Sequence, residues 1–290
     1  MIVSIKSVKN YFSLVKFSHT VFAMPFALIG FSLAVSKPEY ELKIRLLLLV
    51  ILCMIFARNT AMGFNRIVDK KFDALNPRTS KREIPSGIIS SGDATVFVII
   101  NAALFILATA FINRLTLILS PIALLIITGY SLTKRITALC HFVLGLGLSL
   151  APIGAYISVT GKFSFLPLIY SFIVLTWVSG FDIIYALQDD VFDKSNKLHS
   201  LPSSKGRKKA LGISIFLHAA TVVLVLISGF YGQGGILYWT GAMIFSILLI
   251  YQHSIVKFDD LSRVTLAFGT TNGIASLLFA IFVILDLVFR

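Results

Sequence analysis

The chain has 290 residues, 57% of them hydrophobic and only 13% charged, with a mean hydropathy of +0.90. Soluble domains carry about 25% charged residues, so there is too little polar surface here to wet a globule; a cytosolic enzyme, a disordered chain and a secreted disulfide scaffold are excluded. The formal net charge of +13 arises from 26 Lys and Arg against 13 Asp and Glu. In a polytopic membrane protein that excess belongs on cytoplasmic loops, and no nucleic-acid partner is expected. Cys53 and Cys140 lack a second Cys or a His at metal-ligand spacing and read as packing residues.

A span of hydrocarbon needs about 20 apolar residues. Nine such runs are predicted, at 17–36, 43–64, 95–112, 115–132, 138–159, 165–187, 209–229, 235–252 and 263–288. The expected fold class is all-α, a single integral-membrane domain over 1–290. The first run follows a basic start, as in a signal peptide, but it contains His19 and Pro25 and eight spans follow, so it is expected to be retained. Runs three and four are separated by Asn113 and Arg114 alone, which predicts a tight helical hairpin. With the N-terminus inside, the loops divide 19 Lys and Arg inside against 6 outside. That bias orients the chain with a cytoplasmic N-terminus and an external C-terminus, in a bacterial-type inner (cytoplasmic) membrane.

Only two loops are long, 65–94 and 188–208, and both fall on the cytoplasmic side. They hold seven of the 13 carboxylates (Asp69, Asp73, Glu83, Asp93, Asp189, Asp190 and Asp193), and Asp182 just precedes the second. A loop that serves topology alone needs bases and no acids. Asn65, Asp69 and Asp73 are four residues apart, so at about 3.6 residues per turn they form one stripe of oxygen donors. Such a stripe suits a hard ion such as Mg²⁺, shared with phosphate oxygens. Asp189 and Asp193 repeat the spacing 120 residues later, and Asp182 lies near their face two turns deeper. A carboxylate at that depth is a functional candidate. Two matching stripes four helices apart predict two four-helix pseudo-repeats plus one helix around a central cavity.

These residues resemble the intramembrane aromatic prenyltransferase superfamily typified by 4-hydroxybenzoate polyprenyltransferases. The likeness rests on Asn65-x-x-x-Asp69-x-x-x-Asp73, on Tyr185-Ala186-Leu187-Gln188-Asp189 through Asp193, on Asn76 to Gly87, on Tyr130 to Arg135 and on His19 to Phe26. It extends over about residues 10–285 and implies transfer of a polyprenyl group from polyprenyl diphosphate to a phenolic acid in ubiquinone or menaquinone synthesis. Mg²⁺ is the implied cofactor, with Asn65, Asp69, Asp73, Asp189 and Asp193 as its ligands. The polyanionic leaving group requires a cationic clamp. Lys134, in the family's Lys-Arg position, is assigned with the four aspartates to catalysis; Asn65, Arg58, Arg66, Arg78, Arg82, Arg135, Asp182 and Tyr185 are assigned to substrate binding. Arg58 is a cation inside an apolar helix, seven residues before Asn65 and so on its face. Lys134 and Arg135 also fit interfacial snorkelling; Arg66, Lys70, Lys71, Arg78, Lys81 and Arg82 also fit topology charge. Tyr185 either shields an allylic cation with its π face or anchors the interface, and His19 and Pro25 either line the acceptor pocket or merely shape their helix. Expected partners are the diphosphate, the acceptor and membrane lipids, with no obligate protein. Other acceptors within the superfamily (1,4-dihydroxy-2-naphthoate, haem, chlorophyllide, glycerol phosphate) fit the same motifs. A secondary transporter also uses inverted repeats and buried carboxylates, but it places them at the midplane, whereas these cluster at one face. No Walker A loop, dinucleotide glycine fingerprint or His/Cys metal motif is present.

Overall fold

The computed structural model describes residues 5–15 and 22–290, the first five by backbone alone; Lys16 and His19 lie outside the described residues. All regular structure in them is helical. The helices are α1 (Ile5–Leu14), α2 (Met24–Val35), α3 (Ile44–Val68), α4 (Lys70–Leu75), α5 (Ser91–Ala110), α6 (Arg114–Thr133) and α7 (Cys140–Thr160). They continue with α8 (Phe165–Ala186), α9 (Asp190–Ser195), α10 (Leu201–Lys205), α11 (Arg207–Tyr231), α12 (Ile236–Ile255) and α13 (Asn272–Phe289). A 3₁₀ turn, Leu187–Asp189, joins α8 to α9, and a π-helical turn, Leu266–Thr271, leads into α13.

Eight helical segments are long and apolar enough to cross a membrane, and α2, at 12 residues, is a shorter apolar helix. The predicted hairpin is present between α5 and α6. Asn113 caps α6 by accepting from Thr116 N–H at 2.9 Å, and its amide donates to Ile157 O at 2.9 Å, tying the turn to α7.

Long helices adjacent in the chain pack side by side from α3 through α13, and α2 lies against both α7 and α13. Two glycines permit the closest approaches. A Cβ at Gly30 would lie 2.0 Å from Pro152 O, and one at Gly145 would lie 2.6 Å from Leu175 O. Small residues allow such backbone contact where lipid supplies no driving force for association. The main apolar cluster lies among α2, α8, α12 and α13 around Phe26, Trp177, Phe245 and Phe279, all fully buried. The packing of α3, α6, α7 and α8 leaves space between them, and that space carries the site.

Candidate active site

A cavity of about 680 Å³ opens among α3, α6, α7 and α8. One end is polar and the remainder is apolar, walled by residues such as Met54, Ile126, Leu148 and Ala151. It reaches Ile112 and Phe163, in the turns after α5 and α7, so it runs from one end of the bundle to the other.

The polar end is built by both aspartate motifs. Asp69 ends α3, yet the helical bonds continue through it: Asp69 N–H donates to Asn65 O at 2.9 Å and Asp73 N–H to Asp69 O at 2.8 Å. Asn65, Asp69 and Asp73 therefore remain one stripe along the cavity wall, and Asn65 Nδ2 donates to Asp69 Oδ2 at 2.9 Å. In the second motif, the expected continuous helix from Asp182 to Asp193 is interrupted by the 3₁₀ turn at Leu187–Asp189. Asp182, Asp189 and Asp193 all still line the cavity. Asp190 does not; it is held from the side by Arg207 at 2.7 and 2.8 Å.

Each of the four motif aspartates meets a base. Arg78 reaches from the loop after the first motif to Asp189 of the second through Nε, at 3.0 Å, and Nη2. Asn76 Nδ2 donates to the same carboxylate at 3.0 Å. Arg82 Nη1 holds Asp73 at 2.7 Å, and the neighbouring bases Lys134 and Arg135 divide between motifs, Lys134 on Asp193 at 2.7 Å and Arg135 on Asp69 at 3.2 Å. Burial lowers the Arg78 pKa, but the Asp189 and Tyr185 contacts outweigh it and leave the guanidinium more basic than usual. Lys134 is likewise pulled down by burial and raised overall by Asp193. Burial raises the Asp69 pKa above the ordinary carboxylate value, against the opposing Arg135 bond.

Arg58 and Arg66 also line the cavity, so Arg66, only 4% exposed, is not solvated topology charge. Arg58 Nη2 donates to Val15 O at 3.3 Å and Arg66 Nε to Leu14 O at 3.4 Å, at the C-terminal end of α1, where helix carbonyls favour cations. Lys70 and Lys71 are exposed. Tyr185 faces the cavity; its hydroxyl accepts from Arg78 Nη1 at 2.7 Å, and Arg78 lies 5.0 Å from its ring centroid. Pro25 is buried at the start of α2.

Three contributors were given no role by the sequence. Asn76 sat inside a recognised stretch without an assigned role. His141, 2% exposed and on the cavity wall, places Nδ1 2.7 Å from Asp182 Oδ2 while Nε2 accepts from Leu201 N–H at 3.2 Å, which puts the proton on Nδ1. Phe268 stacks on Tyr185 with centroids 4.1 Å apart.

Among the described residues no three His, Cys, Asp or Glu side chains converge as a preformed cage. Mg²⁺ ordinarily takes only one or two carboxylates and completes its shell with water and substrate phosphate. The donor set, all carboxylate and amide oxygen, fits that ion. So does Asp73 Oδ2, a buried carboxylate oxygen with no hydrogen-bond partner.

The UbiA prenyltransferase family profile matches residues 23–284. A 4-hydroxybenzoate octaprenyltransferase of Aliivibrio fischeri (strain MJ11) is 28% identical over 233 residues, 80% of this chain and 81% of that protein. The apo structure of a UbiA homologue from Aeropyrum pernix K1 superposes with a TM-score of 0.80 at 29% identity, over 93% of this chain and 97% of that one. A UbiA homologue from Archaeoglobus fulgidus, solved bound to DMAPP and Mg²⁺, gives a TM-score of 0.75 at 22% identity, over 97% and 100% of the two chains. With a match across nearly its whole length, the chain belongs to the UbiA prenyltransferase family and is a multi-pass membrane enzyme of prenyl transfer.

Proposed function

We propose that this protein, acting as one domain, transfers a polyprenyl group from polyprenyl diphosphate to the ring of a phenolic acid such as 4-hydroxybenzoate, in ubiquinone or menaquinone synthesis. The observation that carries the reading is the meeting of two aspartate motifs and four bases at one end of a long apolar cavity. The names of the curated relatives support the acceptor class, and the Archaeoglobus homologue supports the donor and the metal.

In this reading Asn65, Asp69, Asp73, Asp189 and Asp193 hold Mg²⁺, which neutralises charge on the diphosphate as its bond to the prenyl carbon breaks. The chain's own groups do the rest. Lys134, Arg135, Arg78 and Arg82 already stand at the carboxylates and add positive charge where the leaving group develops negative charge. Arg58 and Arg66 extend this clamp along the same wall. The apolar length of the cavity takes the prenyl tail and keeps water from C1. The ring carbon of the acceptor forms the new C–C bond and loses its proton; Asp182, oriented by His141, is the cavity carboxylate placed to accept it. The motifs face the cytoplasm, by the loop charge bias.

The test is purified protein in lipid nanodiscs with Mg²⁺, prenyl diphosphates of several lengths and a panel of phenolic acids, read by mass spectrometry. A prenylated acid is expected; no prenylated product with any acceptor would end this reading.

A further inference from the structure

Helices seldom contain a π turn without a local reason, and such turns concentrate at functional sites. The one at Leu266–Thr271 carries Phe268, which lines the cavity, and side chains at its end also bond its carbonyls. Thr271 Oγ1 donates to Leu266 O at 3.3 Å, and Asn272 Nδ2 donates to Ala267 O at 3.0 Å and Phe268 O at 3.1 Å. Asn272 is fully buried, and its Oδ1 accepts from Trp177 Nε1 at 3.0 Å, fastening the turn to α8.

The outcome is the placement of one ring. Phe268 lies on the cavity wall, stacked on Tyr185 at 4.1 Å, with Phe181 at 5.5 Å and Phe22 at 5.4 Å. These four rings form a continuous aromatic wall. It begins at the diphosphate end, since Tyr185 is bonded to Arg78 and Arg78 to Asp189.

We infer that Phe268, held by the π turn and Asn272, completes an aromatic wall that shelters the allylic cation from water until the acceptor ring attacks. The inference rests on the prenyl-transfer reading. Heterolysis of the C1–O bond leaves its electron pair on diphosphate and a cation on the prenyl chain. Attack by the acceptor ring carbon forms a C–C bond and releases the ring proton. Attack by water forms a C–O bond, releases a proton and gives prenyl alcohol. Ring faces attract a cation within about 6 Å and do so more strongly when desolvated; an aliphatic side chain lacks that attraction. Phe268 therefore governs the division between the two products. Asn272 is a positioning residue that acts through it.

The experiment measures prenyl alcohol and prenylated acceptor together, in nanodiscs, for wild type, Phe268→Leu, Phe268→Tyr, Asn272→Ala, Asn272→Asp and Phe245→Leu. Phe245 is a fully buried ring that does not line the cavity but packs against Trp177, ring centroids 5.8 Å apart, so its loss tests whether loosened packing behind the anchor is enough to move the ratio. Phe268→Leu is expected to raise the alcohol-to-product ratio about tenfold, and Asn272→Ala to raise it in the same direction. Phe268→Tyr, which keeps a ring, is expected to lie nearer wild type, whereas Asn272→Asp, which keeps an acceptor for Trp177 but loses both donors to Ala267 O and Phe268 O, is expected to shift the ratio as Asn272→Ala does. Phe245→Leu is expected to lower the thermal midpoint with the ratio unchanged. An unchanged ratio in Phe268→Leu, at whatever total rate, overturns the inference and leaves the transferase reading standing. Wild-type protein that cleaves no prenyl diphosphate overturns both.

Discussion

Asp189 and Asp190 are neighbours in sequence with opposite surroundings, and their substitution by asparagine separates ligand from scaffold. Asp189 lines the cavity, is 8% exposed and holds Arg78 and Asn76. Asp190 turns away to a two-point pair with Arg207, whose side chain is 33% exposed and its own 16%. Removing one oxygen ligand from a metal-assisted diphosphate departure costs several kcal/mol of charge stabilisation. At about 1.4 kcal/mol per factor of ten, Asp189→Asn and Asp193→Asn each lose about two to three orders of magnitude in kcat at saturating Mg²⁺. A partly exposed pair such as Asp190 with Arg207 contributes only about 0.2–1 kcal/mol, so Asp190→Asn keeps kcat within about threefold and lowers stability slightly. The assay is initial rate in nanodiscs, with thermal midpoints recorded for all three variants. An Asp190→Asn protein that is folded but as inactive as Asp189→Asn would refute the reasoning.

Arg78→Lys loses the fork that grips Asp189 together with the contact over Tyr185; such sites do not exchange Arg for Lys, and kcat/KM is expected to fall at least about tenfold, with near-normal kinetics the contrary result. Exhaustive chelation abolishes turnover and added Mg²⁺ restores it; persistence of turnover after chelation contradicts the all-oxygen ligand set. Gly30→Ala drives a methyl into Pro152 O and destabilises by about 1–3 kcal/mol, visible as a lower thermal midpoint; an unchanged midpoint would mean that α2 and α7 separate freely. A thiol at Ser80, in a Cys53→Ala, Cys140→Ala background, is protected from impermeant reagents added outside intact cells; labelling there would invert the proposed topology.

Eight of the nine expected spans, the α5–α6 hairpin and both aspartate stripes were legible because each depends on local periodicity and length. The second motif was legible only in part. Its spacing implied one continuous helix, whereas the backbone takes a 3₁₀ turn over Leu187–Asp189, with Asp189 paired to Arg78 and Asp190, the next residue, to Arg207. Arg66 was also read as topology charge because only packing against α1 reveals its burial. His141 and Asn272 carried no signal at all. Each acquires its role from a residue far away in sequence, Asp182 for the first and Trp177 for the second, and a single sequence does not contain those pairings.

In the proposed reaction both motifs jointly hold one metal–diphosphate unit. Mn²⁺ in place of Mg²⁺, titrated by electron paramagnetic resonance with and without a non-hydrolysable prenyl thiodiphosphate, tests it most directly. Tight Mn²⁺ binding with phosphorus coupling is expected only when the analogue is present, and its loss is expected in both Asp69→Asn and Asp189→Asn. Tight binding that survives either substitution, or that needs no diphosphate, would contradict it.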